Sequence, residues 1–143
     1  AVNALTSNAG WDTVKHQSYL KEIVTEFQKR GIRTSIFVDP VFEMIEGAKA
    51  TGTNRIELYT EEFAHQYGLG NEKAIEPYTK AAQLANDLGI GVNAGHDLSL
   101  QNIEFFKNNI PDLLEVSIGH ALISESLYLG VENVIRMYQQ KMK

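Results

Sequence analysis

The chain has 143 residues, 43% of them hydrophobic and 22% charged, with a formal net charge of −5 and no cysteine. That describes one soluble globular domain of ordinary size. The acidic balance argues against a nucleic-acid partner, although a local basic pocket can still hold phosphate, and the lack of thiols excludes a disulfide framework, a thiolate metal site and a cysteine nucleophile. No apolar run approaches a membrane span and no signal peptide is visible, so no membrane partner is expected and the cytoplasm is the default location.

The chain opens on Ala1 rather than an initiator methionine, and Val2-Asn3-Ala4-Leu5 leads straight into a polar, glycine-containing stretch. A chain cut from something longer is the expectation. Residues 14–30 predict a helix with Tyr19, Leu20, Ile23, Val24 and Phe27 on one face, stopped by Gly31. Residues 34–39 are a short β-rich run ending at Pro40, and 41–50 a shorter helix ending near Gly52. Residues 55–60 form a second strand, and Glu61-Glu62 start a helix with acidic groups at its favourable end. Residues 72–88 predict a helix carrying Ile75, Tyr78, Ala82 and Ala85, stopped by Gly89. Residues 90–96 read as a third strand. Residues 98–109 follow as a helix with Asp97 as its cap and Pro111 beyond its end. Residues 114–120 read as the fourth strand, 121–129 as a short helix broken by Gly130, and 131–142 as a longer one. Trp11, Tyr19, Phe27, Phe105 and Phe106 read as packing residues, and His16 and His65 as exposed surface.

Helix, Gly31, Ile32, strand recurs as helix, Gly89, Ile90, strand. Repeated βα units with buried strands mean an α/β fold with parallel pairing. Four strands in strict alternation fit either a doubly wound sheet or part of a TIM (β/α)8 barrel. The doubly wound reading lacks its glycine fingerprint, since neither G-x-G-x-x-G nor a Walker loop is present. The barrel reading gains from the short helix after the last strand, the usual barrel phosphate site. Four open strands would leave two unpaired edges and an uncovered apolar interior, an aggregation hazard. The barrel reading therefore expects further strands, from an upstream segment or from another chain.

Two runs fit Val-x-x-Gly-His: Val92-Asn93-Ala94-Gly95-His96 and Val116-Ser117-Ile118-Gly119-His120, their histidines 24 residues apart. That is one strand, one helix and two loops. On neighbouring parallel strands both pairs emerge at one sheet edge, where α/β folds place their chemistry, and glycine lets backbone approach a ligand closely. An imidazole such as His96 suits proton donation because its unperturbed pKa lies near working pH. The competing reading is a strand-end histidine bonded to backbone. His120 reads as a phosphate contact or as a helix-start residue of no special role, and Thr6 as a ligand contact or a turn cap supported by Asn8 and Gly10. Asp39 and Glu57 read as structural pairing within the barrel.

Val92-Asn93-Ala94-Gly95-His96-Asp97-Leu98 and Ile118-Gly119-His120-Ala121-Leu122-Ile123 resemble the last two strand ends of pyridoxine 5′-phosphate synthase, the condensing enzyme of the deoxyxylulose-phosphate route to vitamin B6. Thr6-Ser7-Asn8-Ala9-Gly10-Trp11-Asp12, Ser35-Ile36-Phe37-Val38-Asp39 and Ile56-Glu57-Leu58-Tyr59-Thr60 resemble its middle. The resemblance covers essentially the whole chain and matches the C-terminal portion of the family. It implies the C-terminal half of a (β/α)8 barrel with extra helices, assembled as a homo-oligomer. The implied reaction joins 1-deoxy-D-xylulose 5-phosphate to 3-amino-2-oxopropyl phosphate, giving pyridoxine 5′-phosphate, phosphate and water. No metal or organic cofactor is implied, and the partners are phosphorylated small molecules.

By the same resemblance His96 is the catalytic proton donor, Gly119 and His120 hold the aminoketone phosphate, and Thr6 contacts deoxyxylulose phosphate. Asp97 falls at an aminoketone-binding position where many relatives carry glycine; a backbone N–H contact survives that change. Asn8-Ala9 departs from a more acidic, glycine-rich loop. The family's other two bases, a histidine and a glutamate, lie on earlier strands, so these residues are expected to hold part of an active site and to be inactive alone. Two alternatives stay open: another phosphate-binding barrel, aldolase or isomerase, or a half-barrel that binds a phosphorylated ligand without catalysis. A Schiff-base aldolase would carry a strand-end lysine, and none of the four runs ends in one.

Overall fold

The structure, a computed structural model, describes residues 7–143. Its elements are α1 (Gln17–Lys29), β1 (Ser35–Val38), α2 (Phe42–Thr51), β2 (Arg55–Tyr59), α3 (Glu61–Gly68), α4 (Glu76–Asp87), β3 (Gly91–Gly95), α5 (Ile103–Asn109), β4 (Leu113–Ser117), α6 (His120–Leu129) and α7 (Val131–Lys141). The strands form one parallel sheet in the order β1-β2-β3-β4. The expected alternation is present. The order never reverses, so these four strands lack the switch point that defines a doubly wound sheet.

β1 and most of β2 alternate in burial, and the two faces of the sheet differ. Ile36, Val38, Ile56, Leu58, Val92 and Ala94 are buried in the core shared with the helices. The opposite face, expected to be apolar, is polar instead. Arg33 Nη2 donates to Glu115 Oε2 at 2.9 Å, and Arg55 Nη1 lies 3.0 Å from the same oxygen. Arg55 Nη1 also donates to Asn93 Oδ1 at 3.1 Å, and Asn93 Nδ2 to Glu115 Oε2 at 3.2 Å. A face built from ion pairs and amides can meet water, while β1 and β4 are the two expected edge strands among the described residues. A register shift at Val92/Asn93 sets Asn93 opposite Glu115, leaving Leu114 as the extra residue of a bulge in β4.

Three helix expectations need correction. Of the five apolar residues on α1, only Leu20 and Val24 are buried; Tyr19, Ile23 and Phe27 lie on a neighbouring i, i+4 stripe and stay exposed. Trp11 is exposed too, its ring 5.6 Å from His16 and 6.2 Å from Tyr19. Phe106 is fully buried and Phe105 packs against the core, as expected. The helix expected over 72–88 starts as a 3-10 turn, Glu72–Ile75, and becomes α-helical only from Glu76, beside Pro77. The helix expected from Leu98 starts five residues later, at Ile103. Asp97 does not cap it. Asn102 closes that loop instead, accepting from the Ser99 N–H at 2.8 Å and donating to the Asp97 carbonyl at 3.2 Å.

Candidate active site

A cleft of about 1200 Å3 opens at the C-terminal edge of the sheet, between the strand ends, the loop 7–12 and the start of α6. His96, Asp97, Gly119 and His120 all line it. The two Gly-His pairs thus converge as adjacent parallel strands require. Thr6 lies outside the described residues.

His96 follows the last residue of β3. It and Asp97 both take left-handed backbone angles, with φ of 92° and 58°. For residues with a Cβ this conformation costs about 1–2 kcal/mol each, and such strain gathers at functional sites. The His96 ring meets the Tyr59 ring edge-on at 5.0 Å, and Tyr59 meets Phe37 at 5.2 Å. Burial, then the hydrogen bond to Glu61, pushes the Tyr59 phenol far above its usual range, so it stays a neutral donor to that carboxylate. His96 Nδ1 is buried without a hydrogen bond; Asp97 Oδ2 lies 3.3 Å away but off hydrogen-bond geometry. Among the described residues the imidazole is not tied to backbone, so the bland strand-end reading has no bond to rest on.

Gly119 caps the N-terminus of α6, and no side chain caps that helix. Its first intrahelical bond runs from the Ile123 N–H to the Gly119 carbonyl at 3.3 Å. The N–H groups of His120, Ala121 and Leu122 precede that bond and have no intrahelical acceptor. Gly119 has φ −107°, and a Cβ there would meet nothing within 4 Å. Among the described residues the helix start is therefore left open to the cleft, and free N–H groups at a helix N-terminus can receive an anion.

Glu57, read from sequence as structural, serves both purposes. It accepts a hydrogen bond from Ser117 Oγ at 3.1 Å and lines the cleft. Gly95 makes room for it: a Cβ at 95 would overlap Glu57 Oε1 and come within 2.9 Å of Ser117 Cβ. The available signal was alternation, since Ile56 and Leu58 face the helices and so turn Glu57 inward. Asp39 is structural as expected, its Oδ1 accepting from the Gly10 N–H at 3.3 Å. The Trp11 N–H donates to the Phe37 carbonyl at 2.8 Å. Gly10 is obligatory because a Cβ would run into the backbone of Val38 and Asp39. His16, expected on the surface, is half-buried and lines the cleft beside Trp11; His65 is exposed. Among the described residues no group of three or more His, Asp or Glu is placed to hold a metal, and no helix is long and apolar enough to cross a membrane.

A family model described as "Pyridoxal phosphate biosynthesis protein PdxJ" matches residues 1–143. The chain is 73% identical over 143 residues to the "Pyridoxine 5′-phosphate synthase" of Flavobacterium johnsoniae, covering 100% of this chain and 60% of that protein. Proteins of the same description from Christiangramia forsetii and Cytophaga hutchinsonii are 62% and 57% identical, with the same coverage. The chain therefore spans about 60% of the length of the curated relatives it matches.

Proposed function

The chain belongs to the pyridoxal phosphate biosynthesis protein PdxJ family, and from that premise we propose that the protein carrying it is a pyridoxine 5′-phosphate synthase. It would condense 1-deoxy-D-xylulose 5-phosphate with 3-amino-2-oxopropyl phosphate, releasing phosphate and water. The observation that carries this reading is the convergence on one cleft of His96, its Nδ1 without a hydrogen bond among the described residues, and the start of α6, which no described side chain caps.

In this reading the N–H groups at the start of α6 and the open approach over Gly119 hold the aminoketone phosphate, with His120 beside it. The substrate's own amine forms the imine, so the protein needs neither a Schiff-base lysine nor an organic cofactor or metal. His96 gives up the proton that lets a leaving oxygen depart as water. Glu57 presents a carboxylate to the cleft, the charge that a protonated amine or iminium would meet. Asp97 contacts the aminoketone through its backbone N–H. Its left-handed φ is one that glycine adopts freely, which suits a position where the resemblance places glycine in many relatives. Thr6 contacts deoxyxylulose phosphate.

The sequential, switch-free strand order supports the C-terminal part of a single (β/α)8 barrel, with the remaining strands and the two further bases contributed from outside these residues. Assembly as a homo-oligomer belongs to the same proposal. The test is to incubate the full-length protein with both substrates and follow pyridoxine 5′-phosphate by fluorescence alongside phosphate release. Stoichiometric formation of both is expected. Phosphate release without the vitamer, or neither product, would overturn the assignment.

A further inference from the structure

We infer that Thr60 is the positioning residue for His96, setting the aim of the imidazole through the backbone rather than through the ring. The inference rests on the reading of His96 as the proton donor. Consecutive carbonyls of an extended strand point in opposite directions. Here the carbonyls of Gly95 and His96 both turn to one hydroxyl: Thr60 Oγ1 shares its single proton between Gly95 O, at 2.8 Å, and His96 O. The Thr60 N–H adds a bond to Gly95 O at 3.1 Å. Such convergence is possible because the chain reverses at His96, where φ is 92°. Beyond it, Asn102 takes the Asp97 carbonyl at 3.2 Å. Three successive carbonyls are thereby held by the side chains of Thr60 and Asn102, both buried.

The ring makes this matter. Catalytic and metal-bound histidines are commonly oriented by an acceptor on the second nitrogen. Among the described residues His96 Nδ1 has no such bond; Asp97 Oδ2, at 3.3 Å, lies off hydrogen-bond geometry. The ring rests edge-on against Tyr59, and its direction is inherited from the turn that Thr60 fixes. Thr60 is itself fully buried, and its hydroxyl is committed to those carbonyls, so it does not act on substrate directly. Its place is the residue directly after β2, where register brings it beside the end of β3.

The test uses the full-length protein with Thr60→Ser, which keeps the hydroxyl, and Thr60→Val, which removes it at nearly constant volume. Thr60→Val is expected to lower kcat about 10- to 100-fold, the scale of a misplaced catalytic group, with both KM values within about twofold. Thr60→Ser should restore kcat to within about threefold. The imidazole signals of His96, assigned by their loss in His96→Asn, should move in Thr60→Val and stay in place in Thr60→Ser. If Thr60→Val does not fold, Thr60→Ala carries the same expectations, and the serine variant must still leave the His96 signals in place. A lower melting temperature with unchanged kcat per folded molecule and unmoved His96 signals would make Thr60 merely structural and overturn the inference. So would a serine variant as slow as the valine. If the unmodified protein makes no pyridoxine 5′-phosphate, the functional assignment has failed, and the His96 signals still decide whether Thr60 sets the ring.

Discussion

Replacing Gly119 with valine tests the phosphate cradle with little confusion from folding. A Cβ at 119 meets nothing within 4 Å, and φ there is −107°, so the side chain has room. The residue caps α6, where a change from glycine to an apolar residue costs about 0.5–1 kcal/mol. The ligand loses more. A branched side chain at the mouth of the helix holds a phosphate away from the N–H groups of His120 and Ala121, which no side chain among the described residues caps. A hydrogen bond to a charged group contributes about 1.5–3 kcal/mol. Losing one such bond therefore weakens binding about 10- to 150-fold. Titration calorimetry of full-length protein with 3-amino-2-oxopropyl phosphate reads the affinity, and thermal unfolding beside it reads the fold. Gly119→Ala should fall between wild type and valine. An affinity within about twofold of wild type in the valine variant, with unfolding unchanged, would refute the cradle.

His96→Asn should keep the circular dichroism spectrum and lose about a hundredfold or more in turnover; near-normal product formation would remove His96 from the mechanism. Gly10→Ala should lower the melting temperature, because its Cβ meets the backbone of Val38 and Asp39 rather than a yielding side chain, an overpacking worth about 1–3 kcal/mol. An unchanged melting temperature would mean that the loop 7–12 does not pack on β1 as described. Alkaline stability should fall over a defined window. Burial pushes the Tyr78 phenol from 10.0 up to about 12, so the folded state holds its proton longer than the unfolded chain, and the stabilisation present below pH 10 disappears as pH rises through about 12. In denaturant titrations from pH 9 to 12, Tyr78→Phe should show a shallower loss; equal slopes would contradict the assignment to Tyr78.

Much of this arrangement was legible because it rests on local periodicity. β1 and β2 are legible as short β-rich runs, and the repeated Val-x-x-Gly-His marks two adjacent strand ends without any tertiary information. What escaped depends on contacts distant in sequence. The loop after β3 read as helix from Leu98, because composition does not reveal that His96 and Asp97 reverse the backbone or that Asn102 bonds both Ser99 and Asp97. The five apolar residues of α1 read as one buried face, yet which of two adjacent stripes is covered depends on how the helix seats on α2 and the sheet. His16 read as surface because its half-burial depends on Trp11, a loop residue whose place is set by a bond to β1. The polar character of the open sheet face was present in Arg55, Glu57, Asn93 and Glu115. The strand pattern alone does not reveal it, because parallel strands are ordinarily buried and apolar on both sides.

That polar face shows how one sheet level separates structure from chemistry. Glu57 and Glu115 flank Asn93 at one register level, two carboxylates two strands apart. Their surroundings part them. Glu115 is drawn to Arg33 and Arg55, and Arg33 above all holds its carboxyl below the usual glutamate range. Glu57 has no ion pair among the described residues and accepts a single hydroxyl, from Ser117. The absent side chain of Gly95, one level higher, is what lets Glu57 lean toward the cleft and not toward the arginines. One carboxylate is thus spent on joining β4 to β2 and to the segment before β1, and the other stays open to the cleft. The same division, two carboxyl groups given different roles by environment alone, is how a fold obtains a reactive acid or base without special residues. It also separates the glycines: Gly95 makes space for the Glu57 carboxylate, whereas the space over Gly119 is left open at the start of α6 on the same cleft.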